Sequence, residues 1–437
     1  MAAIQADCSG EETRTTFHPT LWGDYFLQNK PQSSAQVKAS CFVCNLKLQA
    51  HMRERMEILL EQVRTVMKEA NEIPKILELV ITIERLGLGN HYENEIAQLL
   101  DVVLKSDYDD NNLHLVSLRF YLLRKNRYDV SSDVFHKFED KQGGFVQSDT
   151  NSLLSLYNAA HLSIKGEDVF DMAVSFTRRH LLGALENLES PFAGEVSSSL
   201  LTPPFRRVGI LEARSYLPCY TNKATRNEAI LELAKLNFNI LQLHFCEELK
   251  DVTIDIPLHK FKKLVQAYSD ELKWRDENYV PKTLNEHLQV SSVSIGTSVV
   301  ACAIFVGMDD TTVETLNWVS SDQKLLKSFA IYTRFTNDMA SAKREQAGGQ
   351  CASTIQSYMK EHGMTNDDAC EKIKELIENS WKDMLHHYLT LTDQPMVVPQ
   401  MILNLSRTVD NMYKHTDAYT NSDILKDTIR MLFAEPM

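Results

Sequence analysis

The chain has 437 residues, 43% of them hydrophobic and 24% charged, with a formal net charge of -13. That length supports two or three domains with full cores, and that balance excludes a disordered chain. The acidic excess is repelled by phosphate backbones and excludes general nucleic-acid binding, while scarce glycine (15) and proline (12) favour helices over strands.

Residues 1 to about 45 read as an extended, partly polar arm. Its opening, MAAIQADCSGEETRTTFHP, carries acidic residues early and has no apolar h-region. It therefore reads as neither a signal nor a transit peptide, and the cytoplasm is the expected location. Cys41 and Cys44 form the one CxxC, but no second pair or His cluster completes a zinc site. The other cysteines (Cys8, Cys219, Cys246, Cys302, Cys351, Cys370) show no disulfide spacing, which suits a reducing compartment.

From Val37 onward apolar residues recur at helical spacing, with Met56, Leu59, Leu60 and Val63 on one stripe. Two further helices flank a turn at Gly87 and Gly89, and the pattern continues through LHLVSLRFYLLRKNRY and LLSLYNAAHLSIKG. No succession of alternating strands appears, so the fold class is all-α. The Pro-, Ser- and Gly-rich ESPFAGEVSSSLLTPPFRRVG (189–209) interrupts the pattern, placing a boundary near 215 between domains 1–215 and 216–437. Helices are expected in the second domain near 226–250, 257–275, 283–306, 311–333, 325–345, 350–361, 366–389 and 397–413. No apolar run is read as long enough to cross a bilayer, since SIGTSVVACAIFVGM is broken by Gly and Thr.

TNDMASAKRE holds the candidate chemistry. Asn337, Ser341 and Glu345 stand four residues apart, and each step of four turns a helix only about 40°. An amide oxygen, a hydroxyl and a carboxylate then share one face, a hard-oxygen set for Mg²⁺. A solvated helix face satisfies the same spacing. Arg334, one turn earlier, suits a diphosphate or a surface ion pair. Asp309 and Asp310, in MDDTTVE, read as N-caps rather than metal ligands. Asp417 and Tyr419, in HTDAYTNS, suit a cavity lid or an Asx-type turn.

These residues stand among many ordered stretches that resemble one family, the plant terpene synthases of the sesquiterpene type. FHPTLWGDYFL, IERLGLGNHYENEI, LLSLYNAAHLSIKGEDVFDMAVSF, LEARSYLPCY, KWRDENYVP, SIGTSVVACAIFVGMDD, SWKDM and HTDAYT follow in that family's order over nearly the whole chain. The resemblance implies an N-terminal helical barrel and a C-terminal class I terpenoid synthase domain. It implies that Asn337, Ser341 and Glu345 chelate Mg²⁺ (or Mn²⁺), that Arg334 contacts the substrate diphosphate, and that Asp417 and Tyr419 line the cavity. The break at Ser294–Ser298 resembles the kinked segment whose carbonyls face the carbocation. The implied reaction is Mg²⁺-dependent ionisation and cyclisation of farnesyl diphosphate, with geranyl diphosphate as the shorter alternative, by a monomer that binds no membrane.

The chain also departs from the family. An aspartate-rich DDxxD helix is expected between LQLHFCEELK and KLVQAYSDELKW, yet only DVTIDIPLHKFK (251–262) lies there. By the family's usual length, on the order of a hundred residues are missing. EQAGGQ also lacks the family's basic residue at Gly348. One triad cannot hold the family's three Mg²⁺ ions, and losing helices opens the cavity. The expected outcome is a synthase of impaired activity; the alternative is an inactive remnant that acts, if at all, by pairing with another chain through exposed apolar faces.

Overall fold

The structure, a computed structural model, describes residues 42–106, 111–140, 144–146, 148–248, 258–308, 311–321, 323–347, 352–414 and 416–437. The expected N-terminal arm with FHPTLWGDYFL, Cys41, Asp309, Asp310, Gly348 and residues 251–257 lie outside it.

Among the described residues the chain is helical, with a single antiparallel bridge, Glu139 to Phe145, in place of any strand. The N-terminal half contributes α1 (Phe42–Glu69), α2 (Ile73–Arg85), α3 (Glu93–Lys105), α4 (Leu113–Lys125), α5 (Thr150–Ala160), α6 (Asp168–Ala184), α7 (Phe192–Leu201) and α8 (Gly209–Thr221). The remainder forms α9 (Glu228–Glu248), α10 (Leu258–Asp276), α11 (Leu284–Ser294), α12 (Thr297–Val306), α13 (Val313–Ser320), α14 (Lys324–Ala347), α15 (Thr354–His362), α16 (Asn366–Thr390), α17 (Val397–Tyr413) and α18 (Lys426–Phe433).

Local chemistry explains the boundaries. Leu59 and Val63 are fully buried, with Met56 and Leu60 packed beside them, as their stripe requires. Gly87 turns the chain after α2 with φ +74°, a left-handed conformation that favours glycine. The 189–209 stretch is less interrupted than its composition suggests: Phe192, Val196 and Leu200 recur every four residues, and α7 buries Val196 and Leu200. The cap of α13 is Thr312, which accepts from Thr315 N at 3.1 Å, and this corrects the assignment to Asp309 or Asp310. The expected 311–333 helix ends at Ser320, and α14 begins at Lys324.

The expected helix 283–306 is two helices, because Gly296 takes φ +78° between α11 and α12. Leu284–Val306 is, by length and composition alone, long and apolar enough to cross a membrane (mean hydropathy 1.7), which corrects the reading that no stretch is. In the fold it buries His287, Ser291, Ser294 and Thr297 around the break. A Gly296→Ala variant meets no atom within 4 Å of the added carbon, so its cost is backbone strain alone, about 1 kcal/mol. A denaturant titration showing no loss would contradict this account of the break.

The largest apolar cluster runs from Leu59 to Val409 and so spans both sides of residue 215. Polar ties cross as well: Arg206 Nη1 meets Glu378 at 2.8 Å, and Arg407 Nε donates to the Phe205 carbonyl at 2.7 Å. α14 lies centrally in the C-terminal half, packing against α11, α12, α15, α16 and α17. That placement buries one side of the helix carrying TNDMASAKRE and presents the adjoining side to α10, α11 and the C-terminal loop.

Candidate metal and diphosphate site

Arg334 anchors the site. Its Nε donates to the Ser291 carbonyl at 3.1 Å and its Nη2 to Ser294 Oγ at 3.3 Å, so it holds the C-terminal end of α11 beside the Gly296 break. Its Nη1 reaches Asp338 Oδ1 at 2.8 Å and Asn337 Oδ1 at 3.3 Å. The guanidinium thus touches both the broken helix and the first residue of the proposed triad.

Asp338, which the sequence reading passed over, is the buried counter-charge. Its Oδ2 accepts from Thr354 N at 2.7 Å and Thr354 Oγ1 at 2.6 Å, capping α15. Burial pushes its carboxyl up, but the Arg334 charge, with His287 when protonated and the Thr354 bonds, holds it below the usual carboxylate range. His287 stacks on Trp274, and burial pushes its imidazole down to about 4, so it is neutral near pH 7.

Ser341 is buried, and its hydroxyl donates to the Asn337 carbonyl at 2.8 Å, leaving the oxygen's lone pairs. Glu345 is half-buried; desolvation and the nearby Asp338 carboxylate push its carboxyl up, offset in part by Ser341 and by Arg334. A partly buried carboxylate whose charged form burial disfavours, next to a hydroxyl and an amide oxygen, is a donor set that suits a hard divalent cation. Among the described residues no group of three His, Cys, Asp or Glu side chains supplies a second such set.

The C-terminal loop closes on this helix. Arg344 Nη2 donates to Asp417 Oδ2 at 2.7 Å and lies 3.5 Å from Glu345 Oε1. The Asp417 carboxylate also accepts from Thr420 N (3.0 Å) and Thr420 Oγ1 (2.6 Å), an Asx-type turn. Tyr419 is 73% exposed and stands at the rim rather than inside a cavity. The Tyr413 hydroxyl is pushed up to about 12, first by burial and then by Asp417 and Tyr419, with Arg334 and an Asn337 hydrogen bond opposing. Tyr268 is raised by burial, then by Glu271 and Tyr419, and lowered by Arg334. Tyr268 and Tyr413 thus both lie within electrostatic reach of the Arg334 charge.

Glu271, on α10, faces the same centre. Burial raises its carboxyl, Arg334 lowers it, and it accepts a hydrogen bond from Ser294. Two cavities elsewhere, about 210 Å³ beside Phe120 and about 360 Å³ beside Trp274, have no triad residue in their walls. The triad's own chemistry, rather than cavity size, marks the site. The sequence carried signals for what was missed: the Asn337-Asp338 pair, and Arg344 directly before Glu345.

Comparisons with known proteins identify the family. "Terpene synthase, N-terminal domain" matches residues 21–200, and "Terpene synthase family, metal binding domain" matches 243–383, which includes the whole triad. The chain is 44% identical to β-sesquiphellandrene synthase of Sorghum bicolor over 99% of its length and 98% of the relative's. It is 42% identical to "Inactive sesquithujene synthase B" of Zea mays, again over 99% and 98%. Its fold matches isoprene synthase from grey poplar leaves (Populus x canescens), solved with three Mg²⁺ ions and dimethylallyl-S-thiolodiphosphate. The TM-score is 0.79 at 22% identity, over 89% of this chain and 98% of that one. With both family domains matched in order and full-length relatives above 40% identity, the chain belongs to the terpene synthase family, its closely similar relatives being plant sesquiterpene synthases.

Proposed function

We propose that this chain is a sesquiterpene synthase by descent that retains one Mg²⁺ subsite and its diphosphate arginine, and that turns over farnesyl diphosphate poorly or not at all. The observation that carries this reading is the imbalance of the site. Asn337, Ser341 and Glu345 offer one set of oxygen donors, and no facing carboxylate set accompanies them among the described residues. The alignment with the sorghum enzyme supports the same view: it runs over 544 positions, whereas this chain has 437 residues. About a hundred positions of the relative therefore meet no residue here.

Asn337, Ser341 and Glu345 would hold the ion, Mg²⁺ or Mn²⁺, which when bound supplies the positive charge that helps diphosphate leave an allylic carbon. Arg334 would bind a diphosphate oxygen while Asp338 keeps its guanidinium fixed. The Tyr413 and Tyr268 rings would face the hydrocarbon end, where ring faces attract positive charge. Geranyl diphosphate would fit the same charges with a shorter tail, and the cytoplasm is the proposed location. An open wall admits water, which quenches a carbocation before it cyclises.

The inert alternative has one supporting observation, the inactive maize relative, which matches this chain over as much of its length as the sorghum synthase does. Both are separated by incubating the purified chain with farnesyl diphosphate and Mg²⁺ and collecting volatiles. Hydrocarbon release is expected at least about a hundredfold below that of the sorghum enzyme. Release at the relative's rate, abolished by Glu345→Ala, would overturn the proposal of impairment. Inorganic diphosphate titrated calorimetrically with Mg²⁺ should bind the chain and bind Glu345→Ala at least about tenfold more weakly. Equal binding by both would remove the triad from the site.

A further inference from the structure

Arg344 stands between two carboxylates. Its Nη2 donates to Asp417 Oδ2 at 2.7 Å and lies 3.5 Å from Glu345 Oε1, so one guanidinium nitrogen approaches both groups. Among the described residues Arg344 is the one ion-pair partner of Asp417 and of Glu345. The Asp417 side chain is 3% exposed and that of Glu345 19%, whereas Arg344 is 48% exposed. The cation therefore reaches in from solvent to acids that burial has set apart from water. A guanidinium keeps its proton in a protein, so it leaves Glu345 only by moving. Glu345 is also the one negatively charged member of the Asn337, Ser341 and Glu345 set.

We infer that Arg344 is a tethered counter-cation that competes with the divalent metal for Glu345, and that metal binding thereby releases the C-terminal loop from α14. The inference rests on the metal reading of the triad given above. A divalent ion held by Glu345 would add two positive charges close to the Arg344 guanidinium, and a partly buried carboxylate leaves that repulsion incompletely screened. The half-exposed Arg344 side chain has solvent to swing into. Asp417 then loses its tie to α14 and keeps the bonds of its own turn. Those run from Thr420 N and Oγ1 to its carboxylate, and from Asn421 N to its carbonyl at 3.0 Å. The coupling is reciprocal: an Arg344 held on the two acids weakens the metal, and the metal weakens that hold. The site thus carries its own brake, independent of the short connection between α9 and α10.

The metal alone is the probe, so no turnover is needed. Titrated with Mn²⁺ and read by electron paramagnetic resonance of the free ion, Arg344→Gln should bind at least about fivefold more tightly than the parent chain. Arg344→Lys keeps the charge and should stay within about twofold of the parent. Adding Glu345→Ala to Arg344→Gln should abolish the gain. In the parent chain, saturating Mg²⁺ should speed hydrogen exchange at the Thr420 and Asn421 amides, a measurement that needs no variant to fold. Equal Mn²⁺ affinity in the parent and Arg344→Gln chains, lost from both with Glu345→Ala, would overturn the competition and leave the triad standing. Arg344→Lys binding as tightly as Arg344→Gln would show that charge is not what competes, and exchange unmoved by Mg²⁺ would overturn the release of the loop. Mn²⁺ binding indifferent to Glu345→Ala, or absent from every variant, would overturn the triad and this inference with it.

Discussion

Truncating Asp338 to alanine should cost about 3–5 kcal/mol of stability, the largest single loss expected from any residue near the site. Two effects combine there. The Arg334 guanidinium, bonded to Asp338 at 2.8 Å, would be left with a buried charge and no ionic partner. The N-terminus of α15 would also lose the carboxylate that accepts from Thr354 N and Oγ1, where an anion is favoured by the helix dipole. At about 2.1 cal/mol/K of unfolding entropy per residue, a chain of 437 residues unfolding as a unit would melt roughly 3–5 °C lower. The companion variant Arg334→Met/Asp338→Leu removes both charges and should recover part of the loss, since a well-packed apolar pair can replace a buried ion pair. That double variant would still lack the diphosphate contact. Thermal melts and diphosphate titration on both proteins therefore separate what Asp338 does for the fold from what Arg334 does for the ligand. A melting point unchanged in Asp338→Ala would mean that Arg334 finds other compensation, with Glu271 the carboxylate that acts on it most strongly after Asp338.

The helical architecture was legible because amphipathic spacing is written locally. The stripe of Met56 to Val63 and the Gly87 turn both follow from periods and special residues that need no tertiary knowledge. For Asn337, Ser341 and Glu345, steps of four on a helix fix a common face, and the choice between a metal face and an ordinary wet one rests on family order alone. Asp338 was not legible, because its partners lie in different places. Arg334 is one turn away, but Thr354 comes from the next helix and His287 from α11. Asp417 shows the reverse. Its resemblance to a cavity acid was clear in sequence, while the structure adds that Arg344 and Thr420 occupy its carboxylate.

Inserting the aligned segment of the sorghum β-sesquiphellandrene synthase between Lys250 and Lys263 should raise hydrocarbon release from farnesyl diphosphate by at least about a hundredfold over this chain. The reasoning is electrostatic and spatial at once. Diphosphate departure leaves charge on both fragments, and Arg334 with a single donor triad can balance only part of the anion. A facing set of carboxylates would complete the metal-holding surface, and the restored helices would exclude the water that ends a carbocation's life. Glu345, whose carboxyl burial pushes up, is the donor that a bound cation would stabilise most. Glu345→Ala within the extended protein should return release to the level of the unextended chain, showing that the surviving triad and not the insert alone supports turnover. An extended protein that melts in one cooperative transition yet releases no hydrocarbon would place the defect in the residues present here. The inert alternative would then hold for the whole site, with Asp417 tied to Arg344 rather than free toward a substrate.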